Sequence, residues 1–452
     1  MNASPQRIPS RLRRLLATFL QADQPVPVCS EKEIAAEIER NYRWNFAVNL
    51  IDGSLFWSGL TFISSATLLP LFVSKLTSSP LLIGLVAVIA QGGWFLPQLL
   101  TAHWVERLPR RKPIAVHLGL PLERLPLWLV AASPLLATCS PTMALILFFA
   151  SYTWHNLGAG LIATSWQDLL ARCFPVNRRG RFWGTTTFVG SSLGIAGAGL
   201  SAWLLNRFPF PTNFAYVFSL AAIFITLGWF LVILTREPAM PMDNTQQTHR
   251  QFLANLSDLL RRDVNFRRFL IARSAMTLGG MGTGFLTVSA VRQWQIPDST
   301  AGLYTAIYLL GQTASNLILG LVADRYGHKL PLELGALASA LAFTFAWLAP
   351  LAHWYYPVFA LLGLNTSTVF VSGLLAPLEF ATPQRRPTYV GLTSTTIGLI
   401  TVVAPLLGAW LAGIDYALLF ALSAGISLTA FVALHWWVRE PRKAVYSNNQ
   451  EH

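Results

Sequence analysis

Residues 320–329 read Gly-Leu-Val-Ala-Asp-Arg-Tyr-Gly-His-Lys, and a related stretch, Ala-His-Trp-Val-Glu-Arg-Leu-Pro-Arg-Arg-Lys, occupies 102–112. Each ends one long apolar stretch and precedes another. Adding 218 to Gly84, Glu106, Arg107, Arg111 and Pro113 lands on Gly302, Asp324, Arg325, Lys329 and Pro331 without a gap. An acid, an arginine, a turn and a base between hydrophobic stretches, repeated at this distance, imply two homologous membrane halves.

The composition agrees. The chain is 53% hydrophobic and 12% charged, with a mean hydropathy of +0.48, whereas a soluble domain carries about 25% charged residues. A spanning helix needs about 20 predominantly apolar residues. Twelve stretches are read as spans: 46–74, 81–102, 114–137, 142–166, 183–205 and 213–235, then 269–291, 299–322, 331–350, 356–377, 388–411 and 416–438. Backbone groups in lipid must be satisfied internally, so these are helices. The expected division is an N-terminal segment (1–45), a six-helix bundle (46–235), a linker (236–268), a second six-helix bundle (269–438) and a tail (439–452).

The net charge of +13 follows from topology. With the N-terminus placed in the cytoplasm, 28 of the 33 lysines and arginines fall on one side of the membrane. That is the positive-inside bias, and it puts both termini in the cytoplasm of a plasma or bacterial inner membrane. No nucleic-acid partner is needed to explain the charge. Cys29, Cys139 and Cys173 give no disulfide framework, and no Cys or His cluster marks a metal site. The N-terminus lacks a clear small-residue cleavage site and is not read as a removed signal peptide.

The two loop cassettes resemble the cytoplasmic loop motif of the major facilitator superfamily, G-x-x-x-D-R-x-G-R-R/K. The second copy fits at Gly320, Asp324, Arg325, Gly327 and Lys329, with His328 in a basic slot. The first departs at Ala102, Glu106 and Pro109. A second partial correspondence, between 175–184 and 383–391, supports the repeat. The resemblance implies an all-α membrane protein of twelve helices in two pseudo-symmetric bundles around a central cavity. It also implies that Glu106, Arg107 and Arg111 act with Asp324, Arg325 and Lys329 as a cytoplasmic gate, pairing across the halves. Gly190, Gly194, Gly197 and Gly199 partly resemble the antiporter motif of exporters in the family. Ile195 stands where its Pro would be, and helix packing is the better reading of these glycines.

Several polar residues fall inside spans, where ionisable groups are costly and default to functional candidates. Asp52 and His155 are candidates for binding solute or a coupled proton, because the family places spans 1 and 4 around the cavity. Glu123 and Arg124 lie near mid-bilayer in span 3. Being adjacent on a helix, they are expected to find partners elsewhere. Arg273, near the start of span 7, is placed to snorkel to the interface. Gln312 and Asn316 share a face of span 8, and Asn365 to Thr368 form a polar patch in span 10; interhelical bonding is the alternative for both.

Outside the spans, residues 10–20 read as an amphipathic interfacial helix, and Ser30 with Glu33 has capping-box spacing. There is no Walker A sequence, nucleophile elbow or H-E-x-x-H motif, so neither an enzyme nor an ATP-driven pump is expected, and no cofactor. The leading reading is a secondary transporter for a small organic solute, working as a monomer in the lipid bilayer. A non-transporting membrane receptor or assembly factor of the same fold is the alternative.

Topology is directly testable. In a background lacking native cysteines, Arg110→Cys and Arg385→Cys should react with an impermeant thiol reagent only from the cytoplasmic face, and Asp415→Cys only from outside. The reverse pattern would overturn the orientation.

Overall fold

The computed structural model describes residues 30–105, 110–175, 178–238, 260–373, 375–380 and 386–441. The expected amphipathic helix at 10–20 and most of the linker lie outside them. The capping box forms: the Ser30 hydroxyl accepts from the Glu33 amide, and the Glu33 carboxylate accepts from Ser30 N–H at 2.7 Å. It starts a helix, Glu31–Thr61, that carries the chain from the basic end of the molecule well into the first span.

The helices follow in the expected order. Span 1 continues as Leu68–Leu76, and span 2 is Pro80–Val105. Spans 3 to 6 are Ile114–Thr138, Pro141–Cys173, Arg179–Arg207 and Thr212–Val232. Span 7 runs Val264–Gly279, Gly280–Phe285 and Leu286–Trp294, span 8 Ser299–Tyr326, and span 9 Lys329–Leu348. Span 10 is Tyr355–Val371, span 11 Arg386–Ile414, and span 12 Tyr416–Trp437. Among the described residues, nine of these helices are long and apolar enough to cross a bilayer unbroken. Spans 1, 7 and 10 are interrupted or short.

The interruptions in spans 1 and 7 obey the repeat. Leu68–Leu76 shifted by 218 is Leu286–Trp294, so the two short outer helices occupy equivalent positions. The packing repeats too. Span 1 lies on spans 5 and 6 as span 7 lies on spans 11 and 12, and span 2 lies on span 4 as span 8 lies on span 10. In span 5, Gly190, Gly194 and Gly197 face Trp57, Thr61 and Phe62 of span 1. These glycines let two helices approach closely.

The halves meet along two pseudo-equivalent seams, span 2 on span 11 and span 5 on span 8. Gly84 and Gly302, equivalent under the repeat, each lie in one seam. A Cβ on Gly84 would stand 2.7 Å from the Ala409 Cβ, and one on Gly302 would stand 2.6 Å from the Ala202 amide nitrogen. At the end bearing Lys75 and Asp298, one apolar cluster runs through both halves, from Phe62, Leu68 and Phe72 to Met281, Phe285 and Tyr304. Thr67 and Thr305 share a buried hydrogen bond across it at 2.6 Å, and Lys75 pairs with Asp298 at 2.7 Å. Toward the basic end each half has its own cluster instead, around Phe174 and Phe182 in one and Phe266 and Phe269 in the other.

Gly302→Val would overpack the span 5–span 8 seam, a change that typically costs about 1–3 kcal/mol. It should lower the thermal midpoint of the purified protein and lengthen spin-label distances across the Lys75–Asp298 end. Unchanged distances would mean that the seam does not hold that end closed.

Candidate functional site

The structure gathers Asp52, Glu123, Arg124 and His155, from three spans, into one buried group. All four are at most 6% exposed. The expectation that Glu123 and Arg124 look elsewhere for partners does not hold: the Arg124 guanidinium pairs with the Glu123 carboxylate. The cause is local. Pro121 and Pro126 lack amide donors, and the backbone between them winds as a π-helix, with the Leu125 amide bonding back to Leu120 O. A wider turn brings consecutive side chains closer in angle than an α-helix does, and π-turns are frequent at functional sites.

His155 joins through its Nδ1, 2.8 Å from the Glu123 carbonyl oxygen, which requires Nδ1 to carry the proton. Asp52 lies within electrostatic reach of both Glu123 and Arg124 and accepts from the Trp166 indole. One of its oxygens rests over Gly228 of span 6, where an added Cβ would stand 2.9 Å away. Two carboxylates thus face one guanidinium and one imidazole in a dry setting. If both acids were ionised and the histidine neutral, the group would carry a net negative charge, which is expensive in low dielectric. Chemically, this is a buried group whose charge balance a single proton would change.

The following contacts hold the loop cassettes to their own halves. Arg111 Nε donates to Asp168 at 2.5 Å, and Arg172 Nε donates to the same oxygen at 3.1 Å. Glu237, just past span 6, accepts from the Arg111 and Lys112 amides at 2.7 and 2.9 Å, capping the entry to span 3. Burial pushes its carboxyl above the ordinary value, opposed by those two N–H groups and by Arg172 and Arg111. In the second half His328 contacts Ser372 at 3.1 Å and lies 3.8 Å from the Glu379 carboxylate. Lys329 pairs with Glu333 at 3.1 Å and donates to His435 O at 3.2 Å. Gly327 turns the chain with φ of +90°, a conformation that favours glycine. Gly320 has open space beside it. Asp324 and Arg325 are exposed, with the Arg325 guanidinium over the Tyr326 ring. Glu106 and Arg107 lie outside the described residues.

The polar candidates of spans 8 and 10 make interhelical bonds. Asn316 accepts from Ser367 at 2.7 Å, and Asn365 donates to Gly335 O of span 9 at 2.8 Å. Gln312 is half-buried, with its backbone nitrogen close to Gly363 of span 10. Arg273 does not snorkel. It is 3% exposed, and its NH1 donates only to the Met276 sulfur at 3.2 Å.

One pair of features escaped the sequence reading. Asn45 exchanges two hydrogen bonds with the Arg236 backbone, both at 2.9 Å, and Asn265 exchanges two with the Arg439 backbone at 2.8 and 3.1 Å. Each arginine begins an Arg-Glu-Pro triplet, 236–238 and 439–441. In both halves the triplet ties the end of the sixth helix to the start of the first. Its glutamate lies over the loop cassette, Glu237 on the amides before span 3 and Glu440 against Gly327. A search for repeated triplets would have found it.

Two pseudo-symmetric helical bundles, packed along two seams and closed together at one end, make a fold shared with solved membrane transporters. The model for the Major Facilitator Superfamily matches residues 269–452. A POT family transporter solved in complex with 5-aminolevulinic acid superposes with a TM-score of 0.67 at 11% identity, covering 87% of this chain and 96% of that one. The nucleoside transporter NupG superposes with a TM-score of 0.62 at 15% identity, covering 86% and 97%. The synaptic vesicle 2-related protein of Bos taurus is 27% identical over 161 residues, 35% of this chain. That match spans only 29% of the relative's length. The likeness to these solved transporters is one of fold over most of the chain, and the family model matches its C-terminal part.

Removing one member of a buried pair costs about 3–5 kcal/mol, whereas removing both is often tolerated. Arg124→Met should therefore destabilise the purified protein strongly in chemical unfolding, and Arg124→Met combined with Glu123→Gln should recover most of the loss. A double variant no better than the single would break the pairing assignment.

Proposed function

We propose that the chain is a secondary transporter, moving a small organic solute across the membrane by alternating access. The observation that carries this is the asymmetry of the apolar core. The two halves share one cluster at the Lys75–Asp298 end and have separate clusters at the basic end. Such a molecule has one mouth held shut by direct packing and another whose sides rest on independent cores. The halves can then rock about the two glycine-lined seams. With the basic loops in the cytoplasm, this conformation faces inward.

The cassettes serve as the opposite gate, with Glu106, Arg107 and Arg111 of the first acting with Asp324, Arg325 and Lys329 of the second. The buried Arg111 and the Gly327 turn fix where each cassette sits. Proton coupling is assigned to the Asp52–Glu123–Arg124–His155 group. Its charge balance changes with one proton, and it joins spans 1, 3, 4 and 6 in a single half. A proton gained there alters the packing of the whole bundle, which is how a local charge can bias a two-state equilibrium.

The test uses the full chain reconstituted in sealed vesicles, screened with a mixed panel of organic solutes under an imposed proton gradient. For any solute that is concentrated, Asp52→Asn or His155→Gln should abolish uphill accumulation and spare exchange at equal concentrations. If both variants still concentrate it with the parent's pH dependence, the cluster is not the coupling site. If the parent moves no solute of the panel in either direction, the transport reading fails.

A further inference from the structure

The two halves each bury a guanidinium within a span, and they treat it differently. Arg124 has Glu123 in contact and Asp52 nearby. Arg273 has no carboxylate partner among the described residues. Its Nε makes no hydrogen bond, its NH1 reaches only the Met276 sulfur, a weak acceptor, and its NH2 lies beside Gly373, just past the helix of span 10. An added Cβ on Gly373 would stand 2.8 Å from that nitrogen, so the absence of a side chain there admits the guanidinium.

A buried charge without a counter-ion costs several kcal/mol, and in a membrane span such residues face cavities or pathways. Apolar substitution would remove that cost at this position, so the charge needs a use. The place is also structurally unusual. The helix of span 10 ends at Val371 and the next begins at Ala376, so Arg273 lies against a break in the span. Its counterpart in the first half, span 4, runs unbroken from Pro141 to Cys173. Interrupted helices are where transporters commonly form solute sites, because a break frees backbone groups and admits motion. Trp57 of span 1 meets Phe370 of span 10 one turn before Gly373, their ring centroids 6.2 Å apart. This break therefore lies close to where the two halves face each other.

We propose that Arg273 is the anion-recognition residue of the transport pathway and that the solute carries a carboxylate. The planar fork of a guanidinium matches a carboxylate with two parallel N–H···O bonds, and Nε with NH2 is the edge left without an acceptor. This rests on the transport reading and names its substrate class. The competing account is structural: the carbonyl end of the span 10 helix carries about half a negative charge, and Arg273 serves only to hold that end.

The experiment compares thermal unfolding of the full-length parent, Arg273→Met and Arg273→Lys in detergent, each with benzoate, inorganic phosphate, benzylamine or benzyl alcohol. A ligand that binds the folded protein raises the midpoint, increasingly so as its concentration exceeds Kd. Benzoate should raise that of the parent, and benzylamine and benzyl alcohol should not. Arg273→Met should be at least as stable as the parent without ligand and should lose the benzoate shift, while Arg273→Lys keeps a reduced one. An Arg273→Met protein less stable than the parent would make the guanidinium structural. A benzoate shift that survives in Arg273→Met, or is absent from the parent, would overturn the proposal. A phosphate shift matching or exceeding that of benzoate would replace the carboxylate with a phosphate ester and overturn the stated class. Vesicle flux is read separately, so failed transport with an intact benzoate shift would sink the transport reading and leave the site standing.

Discussion

The shared apolar cluster at the Lys75–Asp298 end is what makes two bundles one molecule. Spans 1 and 7 both break there, at Phe62–Thr67 and Gly280–Phe285, and their short apolar helices touch each other. Phe72 on one of them packs among Phe148, Phe214 and Phe218 with ring centroids 5.3 to 5.4 Å apart. Each broken end is thus held by its own half while it touches the other. Dispersion and burial hold this end without directional bonds, and the buried Thr67–Thr305 bond and the Lys75–Asp298 pair add register.

The opposite end is governed by polar chemistry. There the loops are fixed by Asp168, Glu237, Glu379 and Glu333, each acting within its own half. The Arg-Glu-Pro triplets tie the sixth helix to the first in both halves. Among the described residues, each bundle has its own apolar cluster at that end, and the repeat builds the same tie in both halves.

Charge inside the membrane is distributed unequally. The first half gathers two acids, an arginine and a histidine, all mutually engaged around the π-wound segment of span 3. The second keeps a lone arginine against a broken span. A group whose charges largely compensate one another and a guanidinium without a carboxylate partner among the described residues make different demands on the spans around them. The polar residues of spans 8, 9 and 10, by contrast, are occupied with one another, Asn316 with Ser367 and Asn365 with Gly335.

The sequence by itself determined the membrane class, the apolar stretches, the half-chain repeat and the family resemblance. These depend on hydropathy and on spacing along the chain, and both are written in one dimension. The offset of 218 even carried Gly84 to Gly302, the two seam positions, before any seam was visible. It also marked Asp52, His155, Glu123, Arg124 and Arg273 as costly residues, but not which of them belong together. Adjacent Glu123 and Arg124 read as facing apart because α-helical geometry was assumed, and only the π-turn between Pro121 and Pro126 brings them into contact. Arg273 read as an interfacial snorkeller because depth was counted from one helix end. Its burial depends on span 10 crossing over it at Gly373. Partnership between side chains is a property of helices packed in three dimensions, and hydropathy along one chain does not carry it.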